Sequence, residues 1–189
     1  MSTPRTHDTA PASVPAAEIR VRDMADADCE AVAGIRIRGW RTAYAGLMPA
    51  SFLAALSIEE DTARRRERLA QAGSSVVNVV AEHAGDIVGW ACHGPSRDDD
   101  LPPGEAELYA IYVHDGLLST GVGRTLLHSC LERCAESGYE RIRLWVLKGN
   151  TRARAFYERA GFTPDGAEEP YEAGGELVPE VRYVRAVSP

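Results

Sequence analysis

The chain has 189 residues, 44% of them hydrophobic, enough for one domain with its own core and too little for two. Its formal net charge of −7 disfavours broad binding to nucleic acid or to anionic membrane and favours a cationic small substrate. No window is apolar for long enough to span a bilayer. Residues 1–17, rich in Ala, Pro, Thr and Ser and without a continuous apolar run, read as a disordered tail and not a signal peptide. A cytoplasmic protein with a single domain over residues 18–189 is therefore expected.

Residues 18–22 alternate apolar and charged, as a half-buried strand does. Asp26 and Asp28 can cap the helix that follows, which carries Val32, Ile35 and Trp40 at helical spacing. Gly46 and Pro49 break it, and a second helical stretch runs from about Ser51 through Gln71 to a Gly73-Ser74-Ser75 stop. Its Arg64-Arg65-Arg66 run reads as a solvated helix face. Residues 76–82 and 86–93 form two strands joined near Gly85, and 96–104 is an acidic loop whose Asp98-Asp99-Asp100 run could guide cations. Residues 105–113 are a strand, 123–137 an amphipathic helix stopped by Gly138, 141–147 a strand and 151–160 a short helix ended by Gly161. Gly174-Gly175 divides a final hairpin. The order β-α-α-β-β-β-α-β-α-β-β is a mixed α/β (α+β) sheet with one βαβ unit between residues 105 and 147. The terminal hairpin offers an edge through which a homodimer could pair.

Cys29, Cys92, Cys130 and Cys134 show no metal-ligand framework, so no metal is expected and the thiols read as reduced and partly buried. The chemistry concentrates instead at Gly121-Val122-Gly123, between a strand and a helix. A helix start leaves N–H groups without partners and carries partial positive charge, and glycines let an anion come close. Neither a P-loop ending nor a dinucleotide-binding Gly-x-Gly-x-x-Gly is present, so the phosphate would belong to another cofactor.

From Glu105 to Phe162 the chain resembles the core of the GNAT N-acetyltransferase superfamily. That family carries Arg/Gln-x-x-Gly-x-Gly/Ala at this turn; here the run is Leu118-Ser119-Thr120-Gly121-Val122-Gly123, followed by Arg124. Both glycines match, and Leu118 departs from the pattern. Asn150, Ala155, Phe156, Tyr157, Glu158, Gly161 and Phe162 resemble the family's second motif. The resemblance implies a splayed central sheet, with acetyl-CoA as acetyl donor and coenzyme A as product. It implies a pyrophosphate held by the backbone from Ser119 to Arg124, including Thr120 and Val122. The pantetheine arm would pair with Ile111, Tyr112 and Val113 and be hydrogen-bonded by Asn150.

The resemblance further implies a general base at Glu107, fourteen positions before Gly121, and a general acid at Tyr157. An ion pair would equally explain Glu107, and core packing would explain Tyr157. The next-strand glutamate of other members is replaced by Trp145. On the acceptor side Trp40 and Tyr44 share a helix face, in a segment that resembles GNAT polyamine acetyltransferases, although such a pair equally suits a core. The expected function is acetyl transfer from the thioester to the primary amine of a small cationic molecule, directly within a ternary complex. A non-catalytic coenzyme A-binding regulatory module and an enzyme acting on peptide or protein amines stand beside it.

Overall fold

The computed structural model describes residues 18–71, 73, 75–98, 100, 101 and 104–187. The N-terminal tail, Ser74 and Asp99 lie outside the described residues. β1 (Arg20–Asp23) leads through a 3-10 turn into α1 (Cys29–Ala43). Asp28 does not cap α1 with its side chain; its carboxylate accepts from the Ala25 N–H and from Arg22 at 2.7 and 3.0 Å. The following helical stretch is two helices, α2 (Ala50–Ala54) and α3 (Ile58–Gln71). The break is chemical: the Ser57 hydroxyl accepts the Glu60 N–H at 3.2 Å and starts α3 afresh.

β2 (Val77–His83) and β3 (Asp86–Pro95) form the expected hairpin, and β4 (Glu105–Val113), α4 (Val122–Glu136) and β5 (Arg141–Leu147) the βαβ unit. α5 (Thr151–Arg159) precedes the last hairpin, β6 (Thr163–Ala173) and β7 (Glu176–Ala186). The seven strands run in the order β1-β2-β3-β4-β5-β7-β6, and only β4 and β5 pair in parallel. β7 thus inserts between β5 and β6, so the chain's last strand lies one in from the edge of the sheet.

Each sheet face has its own apolar layer. Leu126, Leu127, Cys130 and Cys134 of α4 pack with Tyr157 and Phe162 over Ala106, Leu108 and Ile142. Val32 and Cys29 of α1 pack on Val80, Trp90 and Cys92 on the opposite face. One polar side chain is caught in the first layer. His93 is 1% exposed, with Nδ1 3.4 Å from the Cys134 sulfur, and its Nε2 has no hydrogen-bond partner among the described residues. Burial, helped by Arg133, pushes its pKa from 6.5 down to about 4.

That depression has a sign. Between those values the unfolded chain binds a proton that the fold refuses, so stability present above the unfolded pKa drains away as pH falls. The contribution of His93 is expected to fall by about 2 kcal/mol between pH 7.5 and pH 5. Urea midpoints at the two pH values should show it, and His93→Leu should remove most of the difference.

Candidate functional site: a split sheet between a helix start and a bipolar cavity

β4 and β5 pair only at Glu105↔Arg141, Ala106↔Ile142 and Glu107↔Arg143. Beyond Glu107 they diverge, leaving the β5-facing edge of the rest of β4 without a strand partner. The cause is local. Against β3, Cys92 pairs with Ala110 but His93 pairs with Leu108, so Tyr109 is a surplus residue on β4. The side chains record the bulge: Leu108 and Ile111 pack on the α4 face, while Tyr109 and Ala110 in succession pack on the other. The bulge bends β4 where the slot opens.

On one side of the slot stands the start of α4. Gly121 holds φ 111°, a left-handed conformation that glycine alone adopts cheaply, and Ser119 holds φ 67°. The turn is closed by the Thr120 hydroxyl and amide, which donate to the Leu117 carbonyl at 2.6 and 3.3 Å. The first bond of the helix is Thr125 N–H to Gly121 C=O at 3.0 Å. The amides of Val122, Gly123 and Arg124 therefore have no backbone acceptor among the described residues. Arg124 is exposed beside them, and Arg152 of α5 reaches the Ser119 hydroxyl at 3.3 Å. Arg152 supplies from a neighbouring helix the positive charge that Leu118 does not. A helix start with three amides lacking backbone acceptors and two nearby guanidiniums is the chemistry that suits an anion.

On the opposite face lies a cavity of about 860 Å³. Its aromatic middle joins both candidate acceptor residues to β4: Trp40 Nε1 donates to the Tyr112 hydroxyl at 2.7 Å, and the Tyr44 hydroxyl is 3.5 Å from it. Trp40 and Tyr44 meet edge-on at 5.1 Å, and Tyr112 stacks on Trp90 with 6.1 Å between centroids. Tyr112 thus points into the cavity, away from the face on which Ile111 and Val113 pack.

Glu107 lines this cavity and is only 2% exposed. Arg97 holds it with its backbone N–H and Nε, both 3.1 Å from Oε2, and with a further bond from Nη2 to Oε1. Asp98 is occupied too: it accepts from Trp145 Nε1 at 3.1 Å and from Arg182 at 2.9 Å, and Asp100 binds the same guanidinium. Both aspartates bind the protein's own cation, Asp98 largely withdrawn from solvent and Asp100 still exposed to it. Tyr157 is buried, with its ring 5.2 Å from Phe156 and 5.8 Å from Phe162, and burial raises its phenol above the ordinary value. Its hydroxyl has no hydrogen-bond partner among the described residues. Asn150 caps α5, its Oδ1 accepting the Ala153 N–H at 3.1 Å.

The sequence did not single out Glu180. This carboxylate on β7 lines the cavity beside Glu169 and Tyr171. Burial first, then the charges of Glu169 and Glu107, push its pKa up to about 7. Cys92 lines the cavity as well, but burial drives its thiol up to about 12, so almost no thiolate is available there at neutral pH. Among the described residues no cluster of His, Cys, Asp and Glu could hold a metal ion, and no helix is long and apolar enough to cross a membrane.

Residues 40–162 match the model of the acetyltransferase (GNAT) family. The uncharacterised N-acetyltransferase YuaI of Bacillus subtilis is 28% identical over 164 residues, 86% of this chain and 90% of that protein. Among solved structures, the ribosomal-protein-alanine N-acetyltransferase of Brucella melitensis superposes with TM-score 0.69 at 22% identity, covering 88% of this chain and 99% of that one. The yncA protein of Salmonella typhimurium, solved with its cofactor acetyl-CoA, superposes with TM-score 0.68 at 20% identity, over 90% of this chain and 95% of that one.

Proposed function

Because the chain belongs to the acetyltransferase (GNAT) family, we propose that it moves the acetyl group of acetyl-CoA directly onto a small primary amine, within a ternary complex. The observation that carries this reading is the slot between β4 and β5, with an anion cradle on one side and a cavity on the other. The residues suit the donor. A diphosphate fits the amides of Val122, Gly123 and Arg124, with the Arg124 and Arg152 side chains at its rim, and the open edge of β4 can pair an extended amide chain as a further strand would. The side-chain amide of Asn150 remains able to donate to that chain.

Acetyl-CoA supplies an activated acyl carbon: the nitrogen–carbon bond forms as the carbon–sulfur bond breaks, and the electron pair leaves with sulfur. The amine reaches the cavity as an ammonium and must lose a proton first. Glu107 is the carboxylate at the mouth of the slot, but Arg97 engages both its oxygens. We assign the proton to Glu180, whose pKa of about 7 suits a base at neutral pH, and to Glu107 the fixing of the cationic amine, with a water as its route to any proton. Tyr157, protonated at neutral pH, is the acid that returns a proton to sulfur. Trp40, Tyr44 and Tyr112 hold the amine by their ring faces. The unavailable Cys92 thiolate favours attack by the amine itself over an acetyl-enzyme.

The test is release of free thiol from acetyl-CoA across a panel of amines. Intersecting initial-rate lines are expected for at least one acceptor; parallel lines would replace direct transfer by a covalent intermediate, and no turnover would leave a coenzyme A-binding module.

A further inference from the structure

The cavity has two ends of opposite charge. At the β6–β7 end stand Glu169 and Glu180. At the α1–α3 end stand, among the described residues, four arginines, Arg36, Arg64, Arg65 and Arg68, with Asp61 the one acidic residue lining that end. Asp61 is shared: it accepts from Arg36 at 3.0 Å and from Arg65 at 2.7 Å, while Arg64 lies 3.9 Å away. One carboxylate therefore faces at least two close guanidiniums, and positive charge is left over: Arg65 is shielded from water and Arg36 partly so, while Arg64 and Arg68 are exposed.

The cost of that surplus is visible at Arg65. Its side chain is 10% exposed, and its pKa is lowered, by burial first and by repulsion from Arg36 as well, against the support of Asp61. Burying an under-compensated cation is expensive unless something returns to neutralise it. The arginines are also aimed. The Arg36 guanidinium lies 4.3 Å over the Trp40 ring and that of Arg65 lies 4.1 Å over Trp90, the two rings that flank Tyr112. Stacking fixes the planes of both guanidiniums and leaves their outer N–H groups for an acceptor in the cavity. Among the described residues Arg36 and Arg65 donate to no other group than Asp61, and Arg68 to none.

We infer that the acceptor is an amine that also carries a carboxylate, and that the carboxylate is seated on Arg36, Arg65 and Arg68 while the amine points to the acidic end. This rests on the acetyl-transfer reading and narrows its acceptor. A purely cationic polyamine would put one of its charges against the four arginines, whereas a zwitterion meets opposite charge at both ends. Bidentate pairing with a guanidinium is the favoured geometry for such a carboxylate.

Binding reads the inference without turnover. Calorimetry on the full chain with coenzyme A present would use methionine, glutamate, β-alanine and 4-aminobutyrate, each beside its methyl ester, together with spermidine. At least one acid is expected to bind at least tenfold more tightly than its ester and than spermidine, roughly 1.4 kcal/mol. Arg68→Gln and Arg36→Gln should each erase most of that preference, and Arg68→Lys should restore part of it. Equal or tighter binding of esters, binding of spermidine alone, no binding of any acid, or a preference untouched by both glutamine variants would overturn it. Failure of the transferase reading shows separately, as an acid that binds but releases no thiol from acetyl-CoA.

Discussion

Gly121→Val should weaken acetyl-CoA binding by about 100-fold or more, equivalent to ~2.7 kcal/mol. At φ 111° a β-branched side chain is strained, and relief of that strain would rotate the peptide whose neighbouring amides form the cradle. Gly123→Ala is the matched control. Gly123 lies within α4, and an added Cβ would meet Val113 at 3.5 Å and Phe156 at 3.6 Å, ordinary contacts. Calorimetry with acetyl-CoA should therefore show little change for Gly123→Ala. Unchanged affinity in Gly121→Val would remove the cradle from the proposal, provided its melting temperature is that of the parent.

Glu180→Gln should lower kcat by roughly 100-fold and abolish the rise of kcat/KM with pH that is expected through about 7. The direction follows from the raised pKa: below it the carboxyl is protonated and cannot accept, above it the base is ready. Glu107→Gln makes a different prediction. It frees Arg97 and should depress the rate while leaving the limb near 7 in place. If the limb vanishes with Glu107→Gln and survives in Glu180→Gln, the two carboxylates exchange roles. A pH–rate profile of each variant separates the cases.

The bounds of β4 and β5 were readable to the residue, because alternation and flanking turn residues both mark them. The break before α3 was marked as well, by Ser57 three positions before Glu60, although apolar periodicity alone runs straight across it. The Arg64-Arg65-Arg66 run shows why a charge run misleads: successive helix positions point in directions about 100° apart, so three neighbours cannot share one face. Arg65 turns inward onto Trp90 while Arg64 and Arg66 stay about half exposed. Asp98 and Asp100 find Arg182 more than eighty positions away, a pairing that no local pattern encodes. Glu180 was hidden for the same reason. Nothing in its hairpin says that β7 inserts beside β5, and only that insertion carries the carboxylate to the cavity.

The surplus residue Tyr109 makes the opening a matter of counting. Remove it, and Glu107, Leu108, Ala110, Ile111 and Tyr112 would alternate faces without interruption. Such a strand would have no reason to bend, and its free edge could zip against β5 along its whole length. Glu107, Tyr112, Tyr157 and Glu180 would all be retained, and the slot between β4 and β5 is nonetheless expected to close. The expected result is that turnover depends on the parity of one strand, with a single-codon deletion there more damaging than most exchanges of one amino acid for another.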